Sequence, residues 1–166
     1  MGRGHGGSLP VALIHVLISL TGIGSGCFVI RGFLNRKYRE SWTVIFFMTS
    51  ILTAVTGFIF PFERLLSSHV LGLLSLLVVT IALFMRNVFG LEGRRRVTYV
   101  VSLAMALYFN CFAAVVQAFA KIPILHAIAP TQTEGPFVLA QSVIFATFVV
   151  LTYVAAKRFR VGLIRV

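Results

Sequence analysis

Five long apolar runs divide this chain, and basic residues gather in every second connection between them. The runs cover residues 9–30, 42–60, 68–85, 97–120 and 137–156. Each has about the 17 to 25 residues that a helix needs to cross the hydrocarbon core of a bilayer. No Asp, Glu, Lys or Arg falls inside any of them. Lipid cannot satisfy exposed backbone groups, so a spanning segment of this length must be helical. The sequence therefore predicts an all-α integral membrane bundle of five transmembrane helices.

The charges set its orientation. Arg31, Arg36, Lys37 and Arg39 follow the first run, and Arg86, Arg94, Arg95 and Arg96 follow the third. Lys157, Arg158, Arg160 and Arg165 follow the fifth. The opposite side holds Arg3, Arg64 and Lys121, which completes the 15 basic residues. Basic loops stay in the cytoplasm, so the N-terminus is expected outside and the C-terminus cytoplasmic. A net charge of +11 could suit nucleic acid. Its placement in short loops beside apolar runs points to anionic lipid headgroups instead, at about 1 kcal/mol per Lys or Arg near the surface. The expected partner is the lipid bilayer, with no nucleic acid. Charged residues make up 11% of the chain, against about 25% in soluble domains.

The short connections make successive helices antiparallel neighbours in a single membrane domain. Residues 1–8, Gly-rich around His5, read as a flexible external tail, and residues 157–166 as a basic cytoplasmic tail. The first run resembles a secretion signal but lacks an A-x-A site and continues through Cys27 to Ile30 into a basic loop. It reads as an uncleaved span. Cys27 and Cys111 lie inside runs without a CxxC, which favours buried apolar side chains over a disulfide. Trp42, Tyr99 and Tyr153 fall near cytoplasmic ends, where aromatic anchors belong. Pro61 ends the second run and Pro136 opens the fifth.

Residues 121–136 form the longest external connection. Ile122, Ile124, Leu125 and Ile128 are too apolar for a free aqueous loop, so a short interfacial or re-entrant helix is expected from Pro123. Thr131 and Glu134 have capping-box spacing. Gly135 and Pro136 follow at once, which leaves a cap on the fifth helix as one of several roles open to Glu134.

Helical spacing sorts the polar and small residues onto faces. His15, Ser19, Gly22 and Gly26 share one face of the first run. Thr49, Thr53 and Thr56 form a stripe on the second, and Ser68, Gly72 and Ser75 lie beside His69 on the third. Tyr99, Asn110 and Gln117 align on the fourth. Such faces turn inward, and small residues on them allow close helix packing. By helical rise, His15 lies about 9 Å below the start of its helix and Asn110 about 15 Å from the outer end of its own. His69, Gln117, Gln141, His126 and Glu134 also belong to the external side. This one-sided clustering is the main functional signal in the chain.

Imidazoles ligate haem iron, copper or zinc, and can bind quinone oxygens or relay protons. A metal set of His15, His69, His126 and Glu134 has suitable ligand types but no HxxxH or HExxH spacing. Bis-histidine haem ligation by His15 and His69 is weakened by a depth difference of roughly two turns. No Walker, GxGxxG or GxSxG sequence occurs in a suitable context; Gly22, Gly24 and Gly26 lie within an apolar run.

Two stretches carry a resemblance. One runs from Leu107-Tyr-Phe-Asn110 through Gln117-Ala-Phe to Pro123-Ile-Leu-His126 and Thr131-Gln-Thr-Glu134-Gly-Pro-Phe137. The other is Thr56-Gly-Phe-Ile-Phe-Pro61 followed by Ser68-His69-Val-Leu-Gly72. Together they resemble small multi-pass bacterial inner-membrane proteins without an assigned activity. The resemblance covers most of the chain after the first span. It implies a bacterial inner membrane and brings no catalytic residue or cofactor.

The leading expectation is a membrane protein binding a redox cofactor or small hydrophobic ligand, quinone or haem, in the external half. His15, His69, Asn110, Gln117, His126, Glu134 and Gln141 would line the site. His15 or His69 would bond a quinone carbonyl or ligate iron, Asn110 and Gln117 would orient the ligand, and Glu134 would exchange protons. The alternative is a non-catalytic accessory or scaffold subunit whose polar stripes pack helices. A transporter is disfavoured, because the spans hold no carboxylate, Lys or Arg and no internal repeat. Five helices are few for enclosing a cofactor, which suggests a homo- or hetero-oligomer.

Overall fold

The computed structural model describes residues 8–58 and 66–159, and among these the chain is helix and turn without strand. The helices are α1 (Ser8–Leu34), α2 (Glu40–Gly57), α3 (Leu66–Asn87), α4 (Gly93–Lys121), α5 (Pro123–Ile128) and α6 (Gly135–Arg158). The five long helices match the five apolar runs, extended by a turn or less at most ends. The extensions take in polar residues such as Glu40, Arg86 and Arg94, which a hydropathy reading assigns to loops. The short helix expected from Pro123 is α5. His5, Pro61, Arg64, the Ser68 side chain, Arg160 and Arg165 lie outside the described residues.

Four of the helices, α1, α3, α4 and α6, are long and apolar enough to cross a membrane. The second is the marginal member. It has 18 residues, about 27 Å by helical rise. Glu40 and the hydroxyls of Ser41, Thr43, Thr49, Ser50, Thr53 and Thr56 dilute its apolar surface.

Packing closes α1, α2, α3 and α4 into a ring, each against the next and α4 back against α1. The hub is α4, which also carries α5 and α6. It buries Val100, Leu103, Ala104, Ala106 and Leu107 against its neighbours. The last helix lies outside the ring against α4 and α1. Ala155 is its buried residue, while Val138, Leu139, Val143, Phe145, Val149 and Val150 are exposed. An apolar surface of that extent is too large for a soluble monomer.

Small residues decide how closely α1 approaches. Gly22 and Gly26, one turn apart, are buried where α1 meets α2 and α4. A Cβ on Gly26 would lie 2.6 Å from Leu107 Cδ1 and 2.8 Å from Phe46 Cε2. Gly24, on the outward face, would meet nothing within 4 Å. This is the small-xxx-small packing that membrane helices use.

The first helix ends in a Schellman motif. The Lys37 N–H donates to the Gly32 carbonyl at 2.8 Å and the Arg36 N–H to the Phe33 carbonyl at 3.2 Å. Arg36 takes the left-handed position, φ 57°, where glycine is the usual residue. A side chain there is disfavoured by about 1–2 kcal/mol. Arg36→Gly should therefore raise stability by about 1 kcal/mol, measured by denaturant unfolding in detergent. A loss of stability would show that the arginine makes a compensating contact.

The basic end of the bundle is a packed aromatic and ionic cluster. Phe159 lies 4.5 Å from Phe33 between ring centroids, and Tyr99 lies 6.0 Å from Phe33. Tyr99 was expected as an interfacial anchor, yet it is fully buried, 0% exposed. It faces inward onto the Tyr38 hydroxyl at 3.4 Å. Depth along a helix placed it correctly; the face it occupies did not follow from depth. Tyr153 is 59% exposed with the Lys157 ammonium 4.4 Å from its ring centroid, as an anchor would be. Trp42 stacks on Phe28 at 4.4 Å. Arg86 bridges to Glu40 at 2.8 Å and sits 5.7 Å from the Tyr38 ring centroid. The Arg96 guanidinium donates to the Phe159 carbonyl, and that of Arg158 to the Leu34 carbonyl at 3.5 Å. These contacts fasten α6 and the α1–α2 turn to the ring.

Candidate functional site

The polar residues predicted to converge fall into separate groups. The first joins α1 to α2. His15 Nδ1 lies 2.8 Å from Thr56 Oγ1. The Thr56 hydroxyl has one proton, and it donates that proton to the Leu52 carbonyl at 2.7 Å. With that proton on the Leu52 carbonyl, a His15 Nδ1–H completes the pair as donor. Gly57 lies beside the imidazole; a Cβ there would be 3.8 Å from His15 Cε1, ordinary van der Waals contact. Lys121, at the end of α4, is within electrostatic reach of the same imidazole.

The second group sits deeper, where α1, α2 and α4 meet. Asn110 is buried, and its Nδ2 donates to Ser50 Oγ at 3.4 Å, a long bond. A Cβ on Gly22 would lie 3.6 Å from that Nδ2 and 3.2 Å from Thr49 Oγ1, so even alanine would need the Thr49 hydroxyl to move by a few tenths of an ångström. Gly22 is seven residues from His15, as Thr49 is from Thr56. The Asn110 node and the His15 pair are thus about 10 Å apart along their helices. Thr53 lies between them, its Oγ1 buried without a hydrogen-bond partner among the described residues.

The remaining residues are elsewhere. The His69 ring packs on Phe58 at 5.3 Å between centroids, on the α2–α3 side. Gln141 Nε2 donates to the Phe112 carbonyl at 3.3 Å and ties α6 to α4. Gln117 and His126 are exposed. Periodicity predicted an inward face for Gln117 shared with Asn110; Gln117 lies one turn from the end of α4 and is exposed. Among the described residues, no three His, Cys, Asp or Glu side chains gather as a metal site. The set of His15, His69, His126 and Glu134 therefore does not fit a shared metal ion.

Glu134 organises the turn between α5 and α6 rather than the bundle. Its Oε1 accepts from the Thr131 N–H at 3.0 Å and hydroxyl at 2.8 Å, and its Oε2 from the Thr133 N–H at 3.0 Å. The Glu-to-Thr half of the capping-box pattern is thus present in a turn, without a helix starting at Thr131. Glu134 is itself the N-cap residue of α6, and its side chain makes no cap bond there. Gln132, at φ 59°, anchors the turn through Nε2 to the Val116 carbonyl at 3.0 Å. Desolvation pushes the Glu134 carboxyl up, but the bonds from Thr131 and Thr133 to the ionised form outweigh it and lower its pKa to about 2. The folded value lies below the unfolded one of about 4.3, so the stabilisation is complete above pH ~4.3 and is lost as pH falls toward 2. The Thr131 and Thr133 amide resonances should titrate with a midpoint near 2 in NMR spectra. A midpoint at an ordinary carboxylate value, about 4.3, would show that the turn is not held this way.

Sequence reasoning found the Thr stripe and the glycines but not Ser50, the hydrogen-bond partner of Asn110. No spacing signal marks Ser50, because it bonds across to another helix and lies off the Thr stripe of its own. No family model, curated protein or solved structure matches the chain.

Proposed function

We propose that this chain is a five-span integral membrane protein, basic loops cytoplasmic and N-terminus outside, acting as a non-catalytic accessory or scaffold subunit. The bacterial inner membrane is the location that the sequence resemblance implies. In this reading α2 crosses together with the four helices that are long and apolar enough to do so. The Thr49 and Thr56 hydroxyls bond back to their own helix, to the Ile45 carbonyl at 2.8 Å and the Leu52 carbonyl at 2.7 Å. The observation that carries the accessory reading is the scatter of the candidate site. His15, Asn110 and Gln141 each tie one helix to another, and Glu134 holds a turn. They are distributed as fasteners, each with a different neighbour.

A ligand-binding version has one observation in its favour. His15 and Thr56 form a half-buried polar pair at the rim of the bundle, with Lys121 in electrostatic reach. A quinone or another small hydrophobic ligand with a carbonyl would suit that chemistry. Detergent-purified protein separates the two. The accessory reading expects no chromophore in oxidised and dithionite-reduced spectra and no quinone on solvent extraction. It also expects His15→Ala and Asn110→Ala to lower stability by about 0.6–2 kcal/mol, the range for interhelical hydrogen bonds in membranes. A retained quinone or haem that disappears in His15→Ala, with the variant still folded, would replace it with the ligand-binding reading.

A further inference from the structure

We infer that α5 is a membrane-seating helix that lies in the interface of the external leaflet, with Ile124 and Ile128 in lipid and His126 toward water. This rests on the membrane reading of α4 and α6.

The helix is six residues long, about 9 Å by helical rise, too short to cross. It begins two residues after α4 ends and is followed by a six-residue break and turn before α6 begins. Both flanking helices are long and apolar enough to cross a membrane, so α5 is held at the boundary where they emerge. Pro123 at its first turn starts it without loss of a helix hydrogen bond.

Its surface is amphipathic. Leu125 is half-buried and Ala129, just beyond the helix, is fully buried, which defines the side facing the bundle. Ile124 is 73% exposed and Ile128 50%. They are one turn apart and share a face. His126 lies about 200° around the helix from both and is also exposed. With Ile122, 45% exposed just before α5, Ile124 and Ile128 form an apolar surface at the end of a helix long and apolar enough to cross. That placement favours lipid over a protein partner as the occupant. The position is rigid: Gln132 is bonded to the Val116 carbonyl, and Glu134 holds the turn that follows. The helix therefore sits at one depth and orientation relative to the ends of α4 and α6. Interfacial helices bury their apolar face about 5–10 Å into the headgroup and acyl boundary.

The test uses the full chain with Cys27→Ala and Cys111→Ala, reconstituted in phosphatidylcholine vesicles. Single cysteines at Ile124, Ile128, His126 and Val149 carry an environment-sensitive fluorophore. Labels at 124 and 128 should be blue-shifted relative to 126, and quenched by a shallow acyl-chain nitroxide more than by iodide; the label at 126 should show the reverse. Val149, an exposed residue midway along α6, should be quenched by a deep nitroxide. If 149 responds but 124 and 128 are quenched by iodide, α5 stands in water and the inference fails. Protection of 124 and 128 from every quencher would mean burial by protein, and deep-nitroxide quenching would mean re-entry; either also overturns it. No lipid quenching at 149 would remove the membrane reading itself, and the inference with it.

Discussion

Gly26→Leu should separate α1 from the bundle and destabilise it by about 2–3 kcal/mol, at the upper end of what overpacking a filled core costs. Even the first added carbon would lie 2.6 Å from Leu107 Cδ1 and 2.8 Å from Phe46 Cε2. Two neighbours on two different helices must then move together. Leu107 is 2% exposed and Phe46 1%, so neither has open space to turn into. Gly24→Ala is the matched control. Nothing stands within 4 Å of its Cβ, and alanine is the better helix former by roughly 0.5–1 kcal/mol. The two substitutions, two residues apart on one helix, should change stability in opposite directions. Unfolding by a denaturing detergent from a mild one gives both values. Equal effects would mean that α1 does not pack through this face.

Tyr99→Ala should destabilise by about 3–5 kcal/mol, the range for emptying a site filled by a large aromatic. Tyr99 is fully buried, and its ring is packed beside Phe33 at the basic end of the bundle. Its removal opens a cavity beside the contacts that hold Phe159, and through them the end of α6. Tyr99→Phe keeps the ring and removes the 3.4 Å contact with the Tyr38 hydroxyl. It should lose about 1 kcal/mol or less, because a single long hydrogen bond contributes little net stability. A large loss in the phenylalanine variant would mean that the hydroxyl network, rather than the ring, fixes this end.

The helices were readable because each is a long apolar run bounded by charge, and that pattern has few other solutions. The same holds for α5, where apolar residues after Pro123 could not form a free loop. The glycine face of α1 was readable too, since Gly22 and Gly26 repeat at one turn. What each face meets was not. Helical spacing tells which residues share a side and says nothing of the helix across from them. Tyr99 read as an anchor by depth and as inward by its spacing from Asn110, and it is core; Gln117 read as inward by the same spacing and is exposed. The Glu40–Arg86 bridge was hidden because both residues stand at helix ends that hydropathy assigns to loops. The candidate site dissolved for the same reason: similar depth put several polar residues in one half of the bundle, but depth does not supply the lateral direction that makes side chains converge.

The threading of the chain depends on α2, the one long helix outside the four that are long and apolar enough to cross a membrane. Five spans put the two termini on opposite sides of the membrane, and four put them on the same side. The direct measurement is the sidedness of epitope tags at the two termini of the full chain, read by protease protection in right-side-out and inverted vesicles. The account predicts an external N-terminal tag and a cytoplasmic C-terminal tag. Both tags on one side would contradict it, and would mean that α2 lies against the bundle without crossing.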